Sequence, residues 1–222
     1  MLIISHKSKK AFKDFLKENS IDYIETIDNP RLDKRVSDHP DLSIFPLGHK
    51  KILVDKALAS YYRQRLKGYK IIEGESVGGT YPKDAIYNVY EGEDFYIHNN
   101  HTEKHILGQL KAKTHLFVNQ GYSRCSIIPM KERILTSDYG IYKALRGKIK
   151  VILLEEESID LDGFAKGFLG GTCGLYGSKL IFNGSIKRLK SYDLIRDNAK
   201  KEKLDLIYPD INLLDTGSHI KV

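Results

Sequence analysis

The chain has 222 residues, of which 41% are hydrophobic and 29% are charged, a balance that predicts a buried core and excludes a disordered chain. No apolar run approaches the roughly 20 residues of a membrane-spanning helix, and the first residues show no signal-peptide pattern. Two cysteines in a chain of this length do not form a disulfide framework. We therefore expect a cytoplasmic protein without membrane contact.

The net charge of +7 permits weak attraction to polyanions. The lysines are spread along the chain rather than clustered, and this distribution is typical of a solvated surface. The sequence therefore predicts a small-molecule substrate rather than a nucleic-acid partner. Weak association with RNA through the basic surface is an alternative.

Five short β-type segments, each followed by a helical pattern, recur about 38 to 49 residues apart. Each helix is followed by another strand pattern, and most of the five segments are preceded by a strand across a tight turn. In chain order, strand 2–5 is followed by a helix after Ser8 and strand 21–26. Strands 42–47 and 51–55 are followed by a helix after Asp55 and strand 69–73, and strands 85–90 and 95–99 by a helix after Thr102 and strand 114–118. Strands 125–130 and 133–137 are followed by a helix after Asp138 and strand 149–154, strands 172–176 and 179–183 by a helix after Ser191 and strand 204–208, and the last strand is 211–220.

The repeating unit is therefore strand, strand, helix, strand. One unit is not contiguous in the sequence, because its first strand lies at 211–220 and its second at 2–5. Pairing of these two strands would join the chain ends. The sequence thus predicts one α/β domain, residues 1–222, folded as a closed five-bladed β/α propeller of ββαβ units. This propeller has pseudo-fivefold symmetry, with the N- and C-terminal strands sharing one blade. The alternative is an ordinary α/β sheet whose spacing is coincidental.

In such a ring, the loops that enter the hairpins converge on the axis. They cover residues 37–41, 80–84, 121–125, 169–174 and 214–219. Both cysteines, two histidines and four carboxylates fall in these loops. Because binding and catalytic residues are often carried on loops held by a rigid frame, we expect the functional site there.

A five-unit ββαβ ring resembles the fold of the guanidino-group-modifying enzymes, which are arginine and agmatine deiminases, dimethylarginine hydrolases and amidinotransferases. The segment His39–Asp41 resembles their His-x-Asp motif, which leads into a strand. The segment Tyr81–Asp84 resembles their Arg-Asp motif, with Lys83 in place of Arg. More closely, the whole chain is similar to an uncharacterised clostridial-type family of the same amidinotransferase/deiminase-like fold.

This resemblance implies a Cys-dependent hydrolase or amidinotransferase that acts on a C–N bond of a guanidine. A thiolate would attack the central guanidinium carbon, and a histidine would move the protons. His39 would be the acid/base, and Asp41 and Asp84 would hold the planar cation. Further substrate-binding candidates are Asp215, His219 and Arg124. The chemistry implies no cofactor and no metal.

The nucleophile is where this sequence departs from the family. The deiminases carry it close to the C-terminus, but the comparable stretch here, Asp215–Ile220, has no Cys, and the motifs come in a different order. Cys173, in a glycine-rich segment, is the predicted nucleophile, and Cys125 is the alternative. Either cysteine could instead be a buried packing residue. Without a nucleophile, the chain would be a non-catalytic small-molecule-binding protein of the same fold.

Two other patterns are interpreted as non-functional. The glycines at 170–174 are not followed by the Gly-Lys-Ser/Thr sequence of a phosphate-binding P-loop. The histidines at 98, 101 and 105 sit on a polar helix start without a second ligand cluster, which favours a surface over a metal site.

Overall fold

The computed structural model describes residues 1–222 and contains five three-stranded sheets, five α-helices and three 3₁₀ turns. The strands are β1 Leu2–Ile4, β2 Tyr23–Glu25, β3 Ile44–Gly48, β4 Lys51–Asp55, β5 Lys70–Gly74, β6 Tyr90–Glu91, β7 Phe95–His98, β8 Thr114–Phe117, β9 Ile128–Pro129, β10 Ile134–Thr136, β11 Val151–Leu153, β12 Cys173–Tyr176, β13 Lys179–Phe182, β14 Asp205–Ile207 and β15 Ile220–Lys221. The helices are α1 Lys10–Glu18, α2 Ala59–Arg65, α3 Lys104–Leu110, α4 Tyr139–Leu145 and α5 Tyr192–Lys201.

Every sheet has the same topology. Its first two strands pair antiparallel, and its third strand lies parallel to the second on the other side, as in the sheet β3-β4-β5. A parallel neighbour requires a crossover connection, and a helix supplies it each time. The predicted ββαβ unit is therefore confirmed in all five sheets, within a mixed α/β fold.

The two chain ends belong to one sheet. Strand β15 pairs antiparallel with β1, with Leu2 opposite Lys221 and Ile3 opposite Ile220. The backbone N–H of Val222 also donates to the Met1 carbonyl at 3.1 Å. The expected joining of the C-terminal strand to the N-terminal strand is confirmed.

Three of the first strands are much shorter than the sequence predicts. The expected strands 85–90, 125–130 and 211–220 shrink to the two-residue strands β6, β9 and β15. In the first two cases the preceding residues form turns, in which Asn88 N–H donates to the Ala85 carbonyl and Ser126 N–H to the Tyr122 carbonyl. These turns place polar side chains of apparent strand segments in the middle of the molecule.

Two expected helix caps are also wrong. Helix α3 is capped by Glu103 rather than Thr102, because the Glu103 carboxylate accepts from the N–H groups of His105 and Ile106. The Thr102 hydroxyl instead lies 2.7 Å from His98 Nδ1. The cap residue of α1 is Lys9 rather than Ser8, and it makes no side-chain cap bond.

The core is divided into clusters between the sheets and their helices. The largest includes Leu180 and Phe182 of β13, Ile195 and Ala199 of α5, and Cys173 of β12. These apolar layers hold the hairpin-entering loops in place at one end of the sheets. No helix of the structure combines the length and apolar character required to cross a bilayer.

Candidate functional site

Two acidic side chains meet at a single turn near the C-terminus. The consecutive backbone N–H groups of Gly217 and Ser218 donate to different carboxylates: Gly217 to Asp215 Oδ1 at 3.0 Å, and Ser218 to Asp41 Oδ2 at 2.7 Å. Asp41 has no exposed surface, and Asp215 is almost fully buried. The sequence expected both residues in one site, and the structure brings them to one turn. Together with His39, they are called the acidic centre below.

The backbone at this turn requires glycine. Gly217 has φ +75°, a left-handed conformation, and a Cβ there would lie 2.8 Å from His39 Cβ and 3.0 Å from Asp41 Oδ1. The glycines at 167 and 171 likewise leave room for the Asp215 carboxylate, which also accepts from Phe168 N–H at 2.7 Å. The glycine-rich segment therefore positions a carboxylate.

Cys125 is the cysteine that contacts the acidic centre. Its Sγ lies 2.9 Å from Asp41 Oδ2 and 3.0 Å from Asn88 Nδ2. The Asn88 Oδ1 accepts from Cys125 N–H at 3.1 Å, which fixes the thiol against Asp41. Burial raises the pKa of Cys125 well above its ordinary value, and the charges of Asp41 and Asp215 raise it further. Cys125 is therefore a protonated thiol at neutral pH in this structure.

Cys173, the predicted nucleophile, lies in the apolar cluster around β13. It is fully buried, and its nearest polar partner is the Gly170 carbonyl, 3.5 Å from Sγ. Burial raises the pKa of Cys173 above its ordinary value, although the charge of Arg124 lowers it somewhat. No hydrogen bond joins Cys173 to Asp41, Asp215 or His39.

His39 is the third member of the acidic centre. It precedes the 3₁₀ turn Pro40–Leu42, is 6% exposed, and makes no side-chain hydrogen bond within the protein. Burial raises the pKa of Asp215, and the nearby charge of His39 opposes that rise. His39 is thus close enough to the carboxylates to interact with their charge, and its ring nitrogens are free to bind another group.

His219 is buried in an apolar environment. Its ring stacks on Phe12, with centroids 5.0 Å apart, and neither ring nitrogen has a hydrogen-bond partner. Burial lowers the pKa of His219 to about 3, so the ring is neutral at pH 7.

Arg124 is hydrogen-bonded to residues outside the acidic centre. Its backbone N–H donates to Asn88 Oδ1 at 2.8 Å, and its guanidinium Nη2 donates to the His219 carbonyl at 3.4 Å. No carboxylate lies within 4.0 Å of this guanidinium, so the structure does not pair Arg124 with Asp41 or Asp215.

Asp84 occupies a neighbouring position rather than the acidic centre itself. Its Oδ2 accepts from the Tyr122 hydroxyl at 2.7 Å, and its Oδ1 is buried without a partner. Tyr122 in turn packs between Tyr81 and Phe168, with ring centroids 5.7 and 5.9 Å away. The Asp84 carboxylate is therefore bound by a tyrosine that belongs to a cluster of three aromatic rings.

Two buried polar atoms at the acidic centre have no hydrogen-bond partner. They are Asp41 Oδ1 and, at the adjoining turn, Ser218 Oγ. Because native proteins leave few such atoms, both are available to polar groups of a ligand.

Two residues of this site were missed in the sequence. Asn88 lies in a run of β-type residues, and a lone buried amide among Ile, Tyr and Val was the available signal. Ser218 acts through its backbone N–H, which no side-chain pattern reveals. The histidines at 98, 101 and 105 do not converge, since His98 bonds Thr102 and the Gly121 carbonyl and His105 bonds Glu103.

Comparison with known protein families gives a match over nearly the whole chain. The model of DUF6873, a family of unknown function, matches residues 3–220. The chain belongs to this family. No curated protein matches the sequence.

Solved structures similar to this DUF6873 member are guanidino-modifying enzymes. A dimethylarginine dimethylaminohydrolase (DDAH) from Pseudomonas aeruginosa, complexed with citrulline, has 9% identity and a TM-score of 0.54, with 92% of this chain and 81% of that chain covered. An agmatine deiminase from C. jejuni, solved with substrate bound, has 11% identity and a TM-score of 0.54, with coverage of 91% and 75%. The amidinotransferase SxtG from Microseira wollei has 10% identity and a TM-score of 0.55, with coverage of 97% and 79%. At these identities, the similarity establishes the fold.

Proposed function

We propose that the chain binds a small guanidino-type cation at the acidic centre. The observation that carries this proposal is Asp41, a fully buried carboxylate whose Oδ1 has no partner and which has no Lys or Arg within 4.0 Å. A buried charge is costly unless it is paired and hydrogen-bonded. A guanidinium supplies both a positive charge and several N–H donors in one plane.

Asp215 makes the site selective for such a cation. Its two oxygens each accept one backbone N–H, which leaves further acceptor capacity. Two carboxylates that meet at the Gly217–Ser218 turn match a planar cation with donors on two edges better than a single ammonium point charge. The likeness of the fold to enzymes of guanidino compounds supports the same substrate class.

We also propose that the five sheets close into a single five-bladed propeller domain around this site. Hydrogen bonds between consecutive units support closure. They join Ser218 to Asp41, Asn88 to the Asp41 carbonyl, Asn88 to Cys125, and His219 N–H to the Cys173 carbonyl. A single domain of this kind should unfold in one cooperative calorimetric transition.

A ligand series tests the binding proposal. Arginine, agmatine and methylated arginines should raise the melting temperature, because a ligand that binds only the folded state stabilises it. Citrulline, which replaces the guanidinium by a neutral ureido group, should produce at most a weak shift. Asp215→Asn should weaken binding by about tenfold or more, since it removes a charged hydrogen-bond acceptor. Asp14→Asn, at an exposed carboxylate paired with Lys10, is the matched control. Equal shifts with citrulline and arginine would contradict the proposal.

Thiol-dependent catalysis is the second candidate, favoured by the contact between Cys125 and Asp41. A cation on Asp41 would lie beside the thiol and lower its pKa. Cys125 would pass its proton to Asp41 or His39, and its sulfur would form a C–S bond to the guanidinium carbon. One C–N bond would then break, with the proton leaving on the amine. Water would form a C–O bond as the C–S bond breaks, with one of its protons passing to the departing thiolate and the other to His39 or Asp41, which gives a ureido product; an amine in place of water would give transfer. Cys173 remains the sequence-based alternative nucleophile.

Product analysis separates the two candidates. With agmatine or methylarginine as substrate, catalysis releases ammonium or methylamine together with a ureido product. Cys125→Ser should abolish release, whereas Cys173→Ser should retain it. The reverse result would assign the reaction to Cys173. Binding without release in the wild-type protein would leave a binding function alone.

A further inference from the structure

A cleft of about 680 Å³ lies at the end of the sheets opposite to the acidic centre. Its rim is formed by the hairpin turns of two neighbouring sheets, residues 91–95 and 129–134, and Leu175 and Lys221 contribute from two other sheets. Because first strands of four units reach this cleft, it lies at the hairpin-turn end of the same axis.

The Arg124 side chain lines this cleft from within. Its only side-chain hydrogen bond inside the protein is the long one from Nη2 to the His219 carbonyl, at 3.4 Å. The Nε atom is buried and has no partner, and no carboxylate lies within 4.0 Å. A half-buried guanidinium with most of its donors unused is an unbalanced charge of the same kind as Asp41, with the opposite sign.

Most other charges of the cleft are already paired. Glu132 pairs with Lys150 at 3.0 Å, Arg133 with Glu202 at 2.6 Å, and Glu91 with Lys113 at 2.8 Å. Lys221 makes no ion pair. The acids without an ion-pair partner, Glu93 and Asp94, lie on the outer turn that connects β6 to β7. The cations of the cleft without an ion pair are therefore Arg124, Lys131 and Lys221, and of these Lys131 Nζ already donates to the Glu202 carbonyl at 3.1 Å.

We propose that this cleft binds a small oxyanion, a carboxylate or a phosphate, on the Arg124 guanidinium with Lys221 as the second cation. The planar fork of an arginine donates two parallel N–H bonds to an oxyanion, and such bonds are stronger than those between neutral groups. Lys221 adds a compact charge from the neighbouring strand β15. The outer acids Glu93 and Asp94 limit the site to small anions by repelling extended polyanions.

Anion titrations at constant ionic strength test this site. Inorganic phosphate and malonate, with chloride as the balancing salt, should each shift the NMR signals of residues around the cleft in a saturable way. Tighter binding of phosphate than malonate would assign the site to phosphate compounds, and the reverse would assign it to carboxylates. No saturable shift with either anion would overturn the proposal.

Substitutions locate the binding. Arg124→Gln should weaken the tighter anion by about tenfold or more, and Lys221→Gln by a smaller factor. Arg63→Gln, at an exposed arginine paired with Glu73, should change nothing and is the matched control. If Arg124→Gln does not fold, Arg124→Lys keeps the charge but removes the planar fork, and it should bind several-fold more weakly. Wild-type affinity in either folded Arg124 variant would overturn the proposal.

This site is independent of the guanidino-cation proposal. Asp215→Asn should weaken guanidine binding and leave phosphate and malonate binding intact. Arg124→Gln should weaken phosphate and malonate binding and leave guanidine binding intact. The failure of one proposal is therefore distinguishable from the failure of the other.

Discussion

The Ser218 backbone N–H donates to Asp41 Oδ2 at 2.7 Å, although the two residues are 177 positions apart in the chain. This bond joins the segment before the last strand to the loop before β3. It also fixes a carboxylate that has no exposed surface. One hydrogen bond therefore links the position of the C-terminal segment to the geometry of the acidic centre.

Substitutions of Asp41 should separate its charge from its hydrogen bonds. Asp41→Asn keeps an oxygen acceptor for Ser218 N–H and removes an unpaired buried charge, so stability should be unchanged or higher. Asp41→Ala leaves a buried N–H without an acceptor and should be less stable than Asp41→Asn by about 1–3 kcal/mol. Urea unfolding of the two variants measures the difference. Equal stabilities would contradict the role of the Ser218 bond.

The two thiols should be unreactive in the folded protein without ligand. Burial raises the pKa of both Cys125 and Cys173, and the thiolate is the reactive species. Iodoacetamide at pH 7.5 should therefore modify neither cysteine in native protein and both in urea, as followed by mass spectrometry. The variants Cys125→Ser and Cys173→Ser assign each site. Native labelling as fast as that of the unfolded chain would show that the reacting thiol is accessible.

The repeating unit could be predicted from the sequence because it depends on local patterns. Short apolar strand segments followed by a helical pattern recur in every unit, some with a helix cap such as Asp138, and the structure has five sheets of that topology. The pairing of β15 with β1 followed from counting units. The repeating unit depends on residues that are neighbours along the chain. The pairing of the chain ends could be inferred because one unit lacked a contiguous partner strand.

The geometry of the acidic centre could be predicted only in part. Asp41 and Asp215 could be chosen as site candidates, because polar side chains in hairpin-entering loops are rarely required for packing. Which of the two cysteines, Cys125 or Cys173, contacts Asp41 could not be predicted from the sequence. It depends on Asn88, whose amide holds Cys125 against Asp41 from another unit. Contacts across units leave no signature in local spacing.

Stability should fall as the pH drops below about 6.5. Burial lowers the pKa of His219 to about 3 and that of His98 to about 4, both below the ordinary histidine value of 6.5. Between those values the unfolded chain binds more protons than the folded protein, so stability is fully present above pH 6.5 and is lost as the pH falls. The loss is on the order of 1 kcal/mol per pH unit for each histidine. Asp215, whose pKa is raised by burial, contributes with the opposite sign.

His219→Phe tests this pH dependence. The His219 ring makes no hydrogen bond and stacks on Phe12, so a phenyl ring can replace it without losing a polar contact. Urea unfolding from pH 7.5 to 4.5 should show a smaller loss of stability in the variant than in the wild type. The same slope in both proteins would show that His219 is not the titrating group.

The junction of the chain ends should be a major source of stability. Ile220 is 1% exposed and packs with Ile3, Ile44 and Ile52, so it joins the last strand to the first two units. Ile220→Ala removes buried methyl groups and should lower the free energy of unfolding by roughly 2–4 kcal/mol. Lys221→Ala, at the exposed neighbour in the same strand, should change it by less than about 0.5 kcal/mol. If chemical denaturation shows equal effects for both substitutions, then β15 contributes little to the fold, and closure of the ring through the chain ends would lose its energetic support.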